Sequence, residues 1–325
     1  MRAILIPAAL VVLFSATLAV AQSELPIYSD AQLREASKAY SANLGGVWNT
    51  DLIQKLSPAR RASVAGVALN TPLRAQVREN NQLVFLNAPF TYFADSAALQ
   101  VTIPILSIKF LDDISTATAW LAARNCAPAL ALDYVGMIGH QDPARQPTGR
   151  FPTPLAAFNI PDDVLKQDSV VYDDSGKLLK SGIYFMMAHE LAHVLYQHPG
   201  SSPGPEGQAR EILADAFAME VMRDIGVPPA GTVMLFGGHI RYVDPASDTS
   251  VLSHPVSTRR LEAVAQYIKR NLTAFARLQS SPVSTMQVAS DLEGIARNLD
   301  DVEWQKALRN RSLKTTVGQL AASCR

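Results

Sequence analysis

Apolar side chains recur with the period of an amphipathic helix over much of the chain. The spacing is clear in residues 28–44, where Gly45 and Gly46 follow the last periodic position and favour a helix end. The same period follows residues 261–278. Further helices are expected at residues 116–125, 205–225, 287–299 and 302–320, and short helices are expected within residues 52–67. Helices are therefore expected to dominate the fold.

Other stretches differ in composition and do not show the helical period. Residues 82–86 and 101–110 are rich in β-branched and aromatic side chains and predict strands or buried extended segments, and residues 129–138 form another apolar segment. Residues 140–161 contain five prolines and no regular period, which is typical of a loop or a connection between domains. Together the patterns predict an α+β fold that is mainly α-helical with a small β-sheet.

The chain is organised around residues 182–197, an almost continuous apolar run that predicts a buried helix. Residues 172–177 are rich in Asp, Ser and Gly and predict a turn just before this helix. Ser181 is suited to cap the helix start, and Pro199 predicts its end soon after residue 197.

The centre of this helix carries the sequence HExxH, with His189, Glu190 and His193 as its polar members. Histidines four residues apart lie on one helix face, so both imidazoles can bind one metal ion. Glu190 lies next to the first histidine, where it can hold a water molecule and accept its proton. The alternative is that the pattern arises by chance in an ordinary helix. We favour the metal, because buried polar groups need partners and a metal ion supplies them.

The predicted helix at residues 205–225 offers a third ligand. Catalytic zinc commonly binds two histidines and a glutamate, and Glu211 follows His193 by eighteen residues, enough for the chain to reverse. Asp215, one turn later, is suited to accept a hydrogen bond from a ligand imidazole. The alternative for Glu211 is a solvated helix carboxylate.

These motifs, followed by the Ser-His-Pro-Val-Ser sequence at residues 253–257, resemble the M48 family of zinc metallopeptidases, which includes the CAAX prenyl protease and the HtpX- and BepA-like enzymes. The resemblance covers residues 180–269, and Val256 replaces the proline or serine that is more usual there. It implies a zincin-like domain of the gluzincin type, with one Zn²⁺ per chain bound by His189, His193 and Glu211. A substrate-binding edge strand is expected beside the HExxH helix.

The resemblance also assigns His254 to a catalytic loop near the metal and Arg260 to the shell around the ligands. Two roles are open for His254: a hydrogen-bond donor to the oxyanion, or a fourth ligand that gates the site. Residues 232–243 form a further apolar stretch, in which His239 and Tyr242 could reach the cleft or could simply be packed.

The N-terminus predicts export. Arg2 precedes an uncharged run from residue 3 to residue 20, and the small residues before Gln22 form a cleavage site after Ala21. The alternative is an uncleaved membrane anchor. A cleaved signal peptide places the mature protein in the periplasm or outside the cell, with no membrane span left.

Charge and cysteine content limit the partners and the compartment. The 29 basic and 29 acidic residues cancel and no basic run occurs, so the sequence does not predict a nucleic acid or an anionic membrane as partner. Cys126 and Cys324 can form a disulfide in an oxidising compartment. The alternative is unpaired thiols. The sequence does not indicate an oligomeric state.

The sequence therefore predicts an exported zinc metalloendopeptidase that cleaves unfolded or misassembled envelope proteins. The alternative function is a periplasmic chaperone or assembly factor that uses the zinc cleft to bind clients and cleaves rarely or never. The presence of Glu190 favours the peptidase, and a structural zinc site would instead be closed by a fourth ligand, typically Cys. The predicted organisation is a signal peptide (1–21), an N-terminal part of the protease domain (22–140), the metallopeptidase core (141–279) and C-terminal helices (280–325).

Overall fold

The structure is a computed structural model, and it describes residues 27–79, 82–86, 88–199, 204–243, 256–277 and 282–324. The predicted signal peptide and the predicted catalytic residue His254 lie outside the described residues. Among those residues, no helix combines the length and the apolar character needed to cross a membrane.

Helices make up most of the described chain, which confirms the prediction of a mainly α-helical α+β fold with a small sheet. The helices are α1 (Asp30–Gly46), α2 (Pro58–Ser63), α3 (Ile105–Ala123), α4 (Leu130–His140), α5 (Pro154–Ala157), α6 (Val164–Gln167), α7 (Ser169–Leu195), α8 (Gly204–Ile225), α9 (Gly231–Tyr242), α10 (Thr258–Arg270), α11 (Leu272–Ala276), α12 (Pro282–Leu299), α13 (Val302–Lys314) and α14 (Val317–Ala322).

Two small sheets precede α3. The strands are β1 (Ala68–Asn70), β2 (Ala75–Glu79), β3 (Gln82–Leu86), β4 (Phe93–Asp95) and β5 (Gln100–Thr102). In the first sheet the order is β1-β5-β4, with β1 parallel and β4 antiparallel to β5. Strands β2 and β3 form a separate antiparallel pair. Within the described residues β4 pairs only with β5, so β4 is an edge strand.

Helix α7 lies at the centre of the fold. It packs against α3, α8 and α9, and β4 and β5 also contact it. From Ser181 to Val194 every residue of α7 is buried, because neighbours surround this part of the helix. The buried apolar cluster is continuous with the N-terminal and C-terminal helices and includes Tyr28 and Leu320.

The strand predicted at residues 101–110 is mostly wrong. Strand β5 ends at Thr102, and α3 begins at Ile105 after Pro104, which occupies the N-cap position. Almost all of the first turns of α3 are buried, and a helix buried on every side has no polar face to reveal its period. The apolar segment at residues 129–138 forms most of α4. This helix is also largely buried, so its sequence shows no clear helical period either.

The turn predicted at residues 172–177 is also wrong, and so is the cap assigned to Ser181. Both lie inside α7, which begins at Ser169, twelve residues before Ser181. The Asp168 carboxylate caps this helix start and accepts hydrogen bonds from two backbone amides. Ser175 is buried, and the other residues of the supposed turn are exposed on the helix, where Lys177 pairs with Asp173 and Asp174. The Ser181 hydroxyl oxygen instead accepts a hydrogen bond from the Gly231 amide, at 2.8 Å.

Residues 141–161 are largely irregular, as the prolines predict, and the part from Phe151 onwards packs into the core, whereas no residue from 141 to 150 is buried. Phe151 and Phe158 are buried, and the Tyr134 hydroxyl donates a hydrogen bond to the Pro152 carbonyl at 2.6 Å.

Cys126 and Cys324 form a disulfide. Its cysteines are 198 positions apart, so it connects the C-terminal helix α14 to the end of α3.

Candidate metal centre

Helices α7 and α8 bring three donor side chains together. His189 and His193 lie one turn apart on α7, and Glu211 lies on α8, which packs against α7 after the chain reverses. All three residues are buried, and one possible ligand atom of each lies within 4.8 Å of the others. The ligand set predicted from the sequence is thus assembled as a group that could bind a metal ion.

The distances between the donor atoms fit a tetrahedral ion. The Nε2 atoms of His189 and His193 are 3.1 Å apart. The carboxylate of Glu211 faces both nitrogens with different oxygens: Oε2 lies 3.3 Å from His189 Nε2, and Oε1 lies 3.3 Å from His193 Nε2. Bonds of the length usual for zinc place the ligand atoms of a tetrahedron about 3.3 Å apart. Two imidazoles and one carboxylate are also a donor set that zinc commonly binds at catalytic sites, and they leave the fourth position of the tetrahedron to another group.

Asp215 connects to the first ligand. Its Oδ1 lies 2.9 Å from Nδ1 of His189, on the side of the ring that faces away from Glu211. A carboxylate in this position can orient the imidazole so that Nε2 points to the other two donors. The sequence placed Asp215 one turn after Glu211, and the structure places it where such a role is possible.

Arg260, on α10, pairs with both acids of α8. Its Nε and Nη2 atoms each donate a hydrogen bond to Asp215, at 2.8 Å, and Nη1 lies 3.0 Å from Glu211 Oε2. The arginine and both carboxylates are buried, so the positive charge of Arg260 is shared between two negative charges inside the protein. One oxygen of Glu211 is thereby held by the arginine.

The charges set the protonation states in this cluster. Burial alone would raise the pKa of Asp215, but the charge of Arg260 and its hydrogen bonds outweigh burial and lower that pKa. Burial lowers the pKa of His189, yet the hydrogen bonds to Asp215 and Glu211 prevail and raise it to about 10. In the metal-free protein His189 is therefore protonated at neutral pH, and a metal ion must replace that proton to bind.

Glu190 lies between the two histidines in the sequence of α7 and is completely buried. Tyr92, immediately before β4, lies close enough for the charge of Glu190 to affect its pKa. Burial raises the pKa of the Tyr92 phenol, and the charge of Glu190 raises it further. Sequence reasoning did not select Tyr92, because a tyrosine in a short irregular segment carries no motif. The side chain stays protonated at physiological pH and can donate a hydrogen bond.

Two other residues at the end of α7 were not selected from the sequence. His198 is buried, and its Nδ1 lies 3.0 Å from Nδ1 of His193. Ser96, immediately after β4, has its Oγ 3.1 Å from the His193 carbonyl and 3.0 Å from the His198 carbonyl. Burial lowers the pKa of His198, with a smaller contribution from the charge of Arg210. The signal that could have identified His198 is its position five residues after a ligand.

The remaining candidates are placed differently. His239 and Tyr242 pack against the ring of Phe90, with ring centroids 6.4 and 5.9 Å away, so the described contacts are those of packed aromatic side chains. His254 and its loop lie outside the described residues, and its role stays a prediction.

Comparison with protein families, with curated proteins and with solved structures finds no significant match to this chain.

Proposed function

We propose that this protein is an exported zinc metalloendopeptidase of the gluzincin type. The observation that carries the proposal is the convergence of His189, His193 and Glu211, with Glu190 on the same helix. A buried site with three protein ligands is typical of catalytic zinc, whereas a structural site is normally closed by a fourth protein ligand. The nitrogen and oxygen donors favour zinc over the harder cations magnesium and calcium.

The chemistry follows from the roles of the side chains. Zinc, when bound, supplies a Lewis acid that polarises the scissile carbonyl and makes water more acidic. Glu190 accepts the proton of the attacking water and transfers it to the leaving amine. A further donor stabilises the oxygen on which negative charge develops. Asp215 and Arg260 keep His189 and Glu211 oriented while this happens.

An edge strand favours an extended peptide as substrate. Strand β4 packs against α7 and pairs only with β5 within the described residues. Backbone groups on the free side of an edge strand can bind an extended segment as an additional strand. Such binding reads the backbone more than the side chains, so it suits unfolded or misassembled polypeptides. Quality control of envelope proteins is the setting that we propose for this activity.

Export is supported by two features of the chain. The N-terminal residues 1–21 have the pattern of a cleavable signal peptide. The disulfide between Cys126 and Cys324 is of the kind that forms in oxidising compartments such as the periplasm or the cell exterior.

The test combines metal content with activity. The mature protein, Glu190→Gln and the control Glu206→Gln are purified, and zinc content and cleavage of casein are measured for each. Glu206 is an exposed carboxylate on α8, so its variant should behave as wild type. We expect one zinc per chain in all three proteins, cleavage by the wild type and the control, and none by Glu190→Gln.

Other outcomes separate the alternatives. Zinc without cleavage of any unfolded protein by the wild type would favour a binding or assembly factor that uses the cleft to hold clients. Cleavage that persists after complete removal of zinc would show that the proposed chemistry is wrong.

A further inference from the structure

The C-terminus of α7 ends in a Schellman motif. Tyr196 is the C-cap residue, and the next residue, Gln197, has a φ of 52°, in the left-handed region. The His198 amide donates to the His193 carbonyl at 2.9 Å, and the Gln197 amide donates to the Val194 carbonyl at 3.1 Å. These are the two hydrogen bonds that define the motif.

This motif brings two particular side chains together. In a Schellman motif the residue two positions after the C-cap contacts the residue three positions before it, usually through apolar side chains. Here those positions are occupied by His198 and His193. Their rings are both buried, their centroids are 4.9 Å apart, and the two Nδ1 atoms lie at a hydrogen-bonding distance of 3.0 Å.

A third residue holds the motif from outside. The Ser96 hydroxyl reaches the carbonyl oxygens of both His193 and His198. Because Ser96 directly follows β4, the ligand helix, the buried histidine and the edge strand are connected through one side chain. His198 is therefore fixed on its backbone side as well as through its ring.

We propose that His198 is the positioning residue for His193, a role that rests on the metal site of the proposed function. Nε2 of His193 faces His189 and Glu211 and must be free of hydrogen to bind a metal ion. The neutral ring then carries its hydrogen on Nδ1, which donates to the bare Nδ1 of His198. His198 keeps its own hydrogen on Nε2.

The two metal-binding histidines thus have different partners. His189 has the carboxylate of Asp215, whose charge Arg260 balances. The partner of His193 is instead the neutral imidazole of His198. A second buried carboxylate at this position would add an uncompensated negative charge, and a neutral acceptor avoids that cost.

A pair of variants isolates the acceptor. His198→Asn places an oxygen near the position of Nδ1, and His198→Leu has almost the same shape without an acceptor. Both lose the packing of the ring to a similar extent, so their difference reports the hydrogen bond. His140→Asn and His140→Leu are the controls, because the described contact of that ring is with the Arg241 carbonyl and not with a ligand.

The readout is the zinc dissociation constant, measured by chelator competition, together with the unfolding midpoint of each metal-free variant. We expect His198→Leu to bind zinc about 10- to 100-fold more weakly than the wild type. His198→Asn should recover most of that affinity, and both His140 variants should bind zinc as the wild type does. Equal affinities for His198→Leu and the wild type, or equal losses in the Leu and Asn variants, would overturn the proposal.

A measurement on the wild type covers the case in which these variants do not fold. In the zinc-loaded protein, ¹⁵N-labelled histidine resonances report which ring nitrogen carries hydrogen. We expect hydrogen on Nδ1 of His193 and on Nε2 of His198, and hydrogen on Nδ1 of His198 would overturn the proposal. A wild type that binds no zinc would overturn both this role and the proposed function, whereas zinc binding with the wrong tautomer would overturn this role alone.

Discussion

Arg260 and Asp215 form a buried bidentate ion pair, with Nε bound to Oδ2 and Nη2 bound to Oδ1, each at 2.8 Å. The same carboxylate lies 2.9 Å from His189 Nδ1. Asp215 is therefore in a position to serve two functions that can be separated: the proposed orientation of a ligand, and the compensation of a buried arginine. Removal of the carboxylate should affect both.

Asp215→Ala should destabilise the metal-free protein by up to about 3–5 kcal/mol, because Arg260 stays buried without its bidentate partner and keeps only the ion pair with Glu211. The same variant should bind zinc about 10- to 100-fold more weakly, because His189 loses its orienting acceptor. Chemical unfolding of the metal-free protein and chelator competition measure the two effects.

The double variant Asp215→Leu/Arg260→Met is the control for this prediction. Well-packed apolar side chains can replace a buried ion pair with little loss of stability, so the double variant should recover stability and not zinc affinity. Wild-type stability and affinity in Asp215→Ala would contradict both assigned functions.

The three proposed ligands should each be required for the metal. His189→Ala, His193→Ala and Glu211→Ala should lose bound zinc on dialysis, because a site with two protein ligands binds zinc weakly. Zinc content after dialysis is the measurement, and Glu206→Ala on the exposed side of α8 is the control. Full occupancy in Glu211→Ala would remove that residue from the ligand set and make Asp215 the candidate.

The disulfide between Cys126 and Cys324 should contribute to stability. It closes a loop with a sequence separation of 198, and removal of a native disulfide typically costs about 2–5 kcal/mol. We expect Cys126→Ser/Cys324→Ser to unfold at a lower denaturant concentration than the oxidised wild type. Reductant should lower the midpoint of the wild type to that of the double variant and leave the variant unchanged. A wild type that does not respond to reductant would contradict the prediction.

Gln197 offers a site for stabilisation. This exposed residue has a φ of 52°, a conformation that costs a residue with a Cβ about 1–2 kcal/mol and costs glycine little. Gln197→Gly should therefore stabilise the protein by about 1 kcal/mol, and Gln197→Ala, which keeps the Cβ, should not. Thermal unfolding of the metal-free proteins measures the difference. A Gly variant that is no more stable than the Ala variant would show that the left-handed conformation is not strained.

His254 lies outside the described residues, so its test depends on the resemblance alone. As a gate it would bind the metal as a fourth ligand, and His254→Ala should then cleave an unfolded substrate faster than the wild type. We expect this result. As an oxyanion donor its loss would instead reduce the rate about 10²- to 10³-fold. An unchanged rate with intact zinc content would exclude both roles.

The sequence by itself determined the features that depend on short spacings. His189 and His193 share a face because residues four apart always do so on a helix, and the polar motif in an apolar run indicated a buried site. Glu211 and Asp215 share a face of α8 for the same reason. The amphipathic outer helices, such as α1 and α10, were also predictable, because solvent on one side imposes a period.

The buried helices were harder to predict from the pattern. The first part of α3 and the first half of α7 were assigned wrongly, whereas the helix predicted at residues 116–125 coincides with the second part of α3. A completely buried helix has no polar face, and an exposed helical segment rich in Asp and Gly has the composition of a turn. Local composition does not distinguish these cases, since tertiary packing decides which side of a helix meets water.

Only the tertiary structure decided which distant residues meet at the metal site. Arg260 reaches Asp215 and Glu211 because α10 packs on α8. Ser96 reaches the end of α7 because β4 lies beside it. His198 turns back onto His193 because Gln197 adopts a left-handed conformation, which a glutamine does not signal in the sequence. Such contacts depend on how packed elements are positioned in space, and the spacing of residues along the chain carries no record of that.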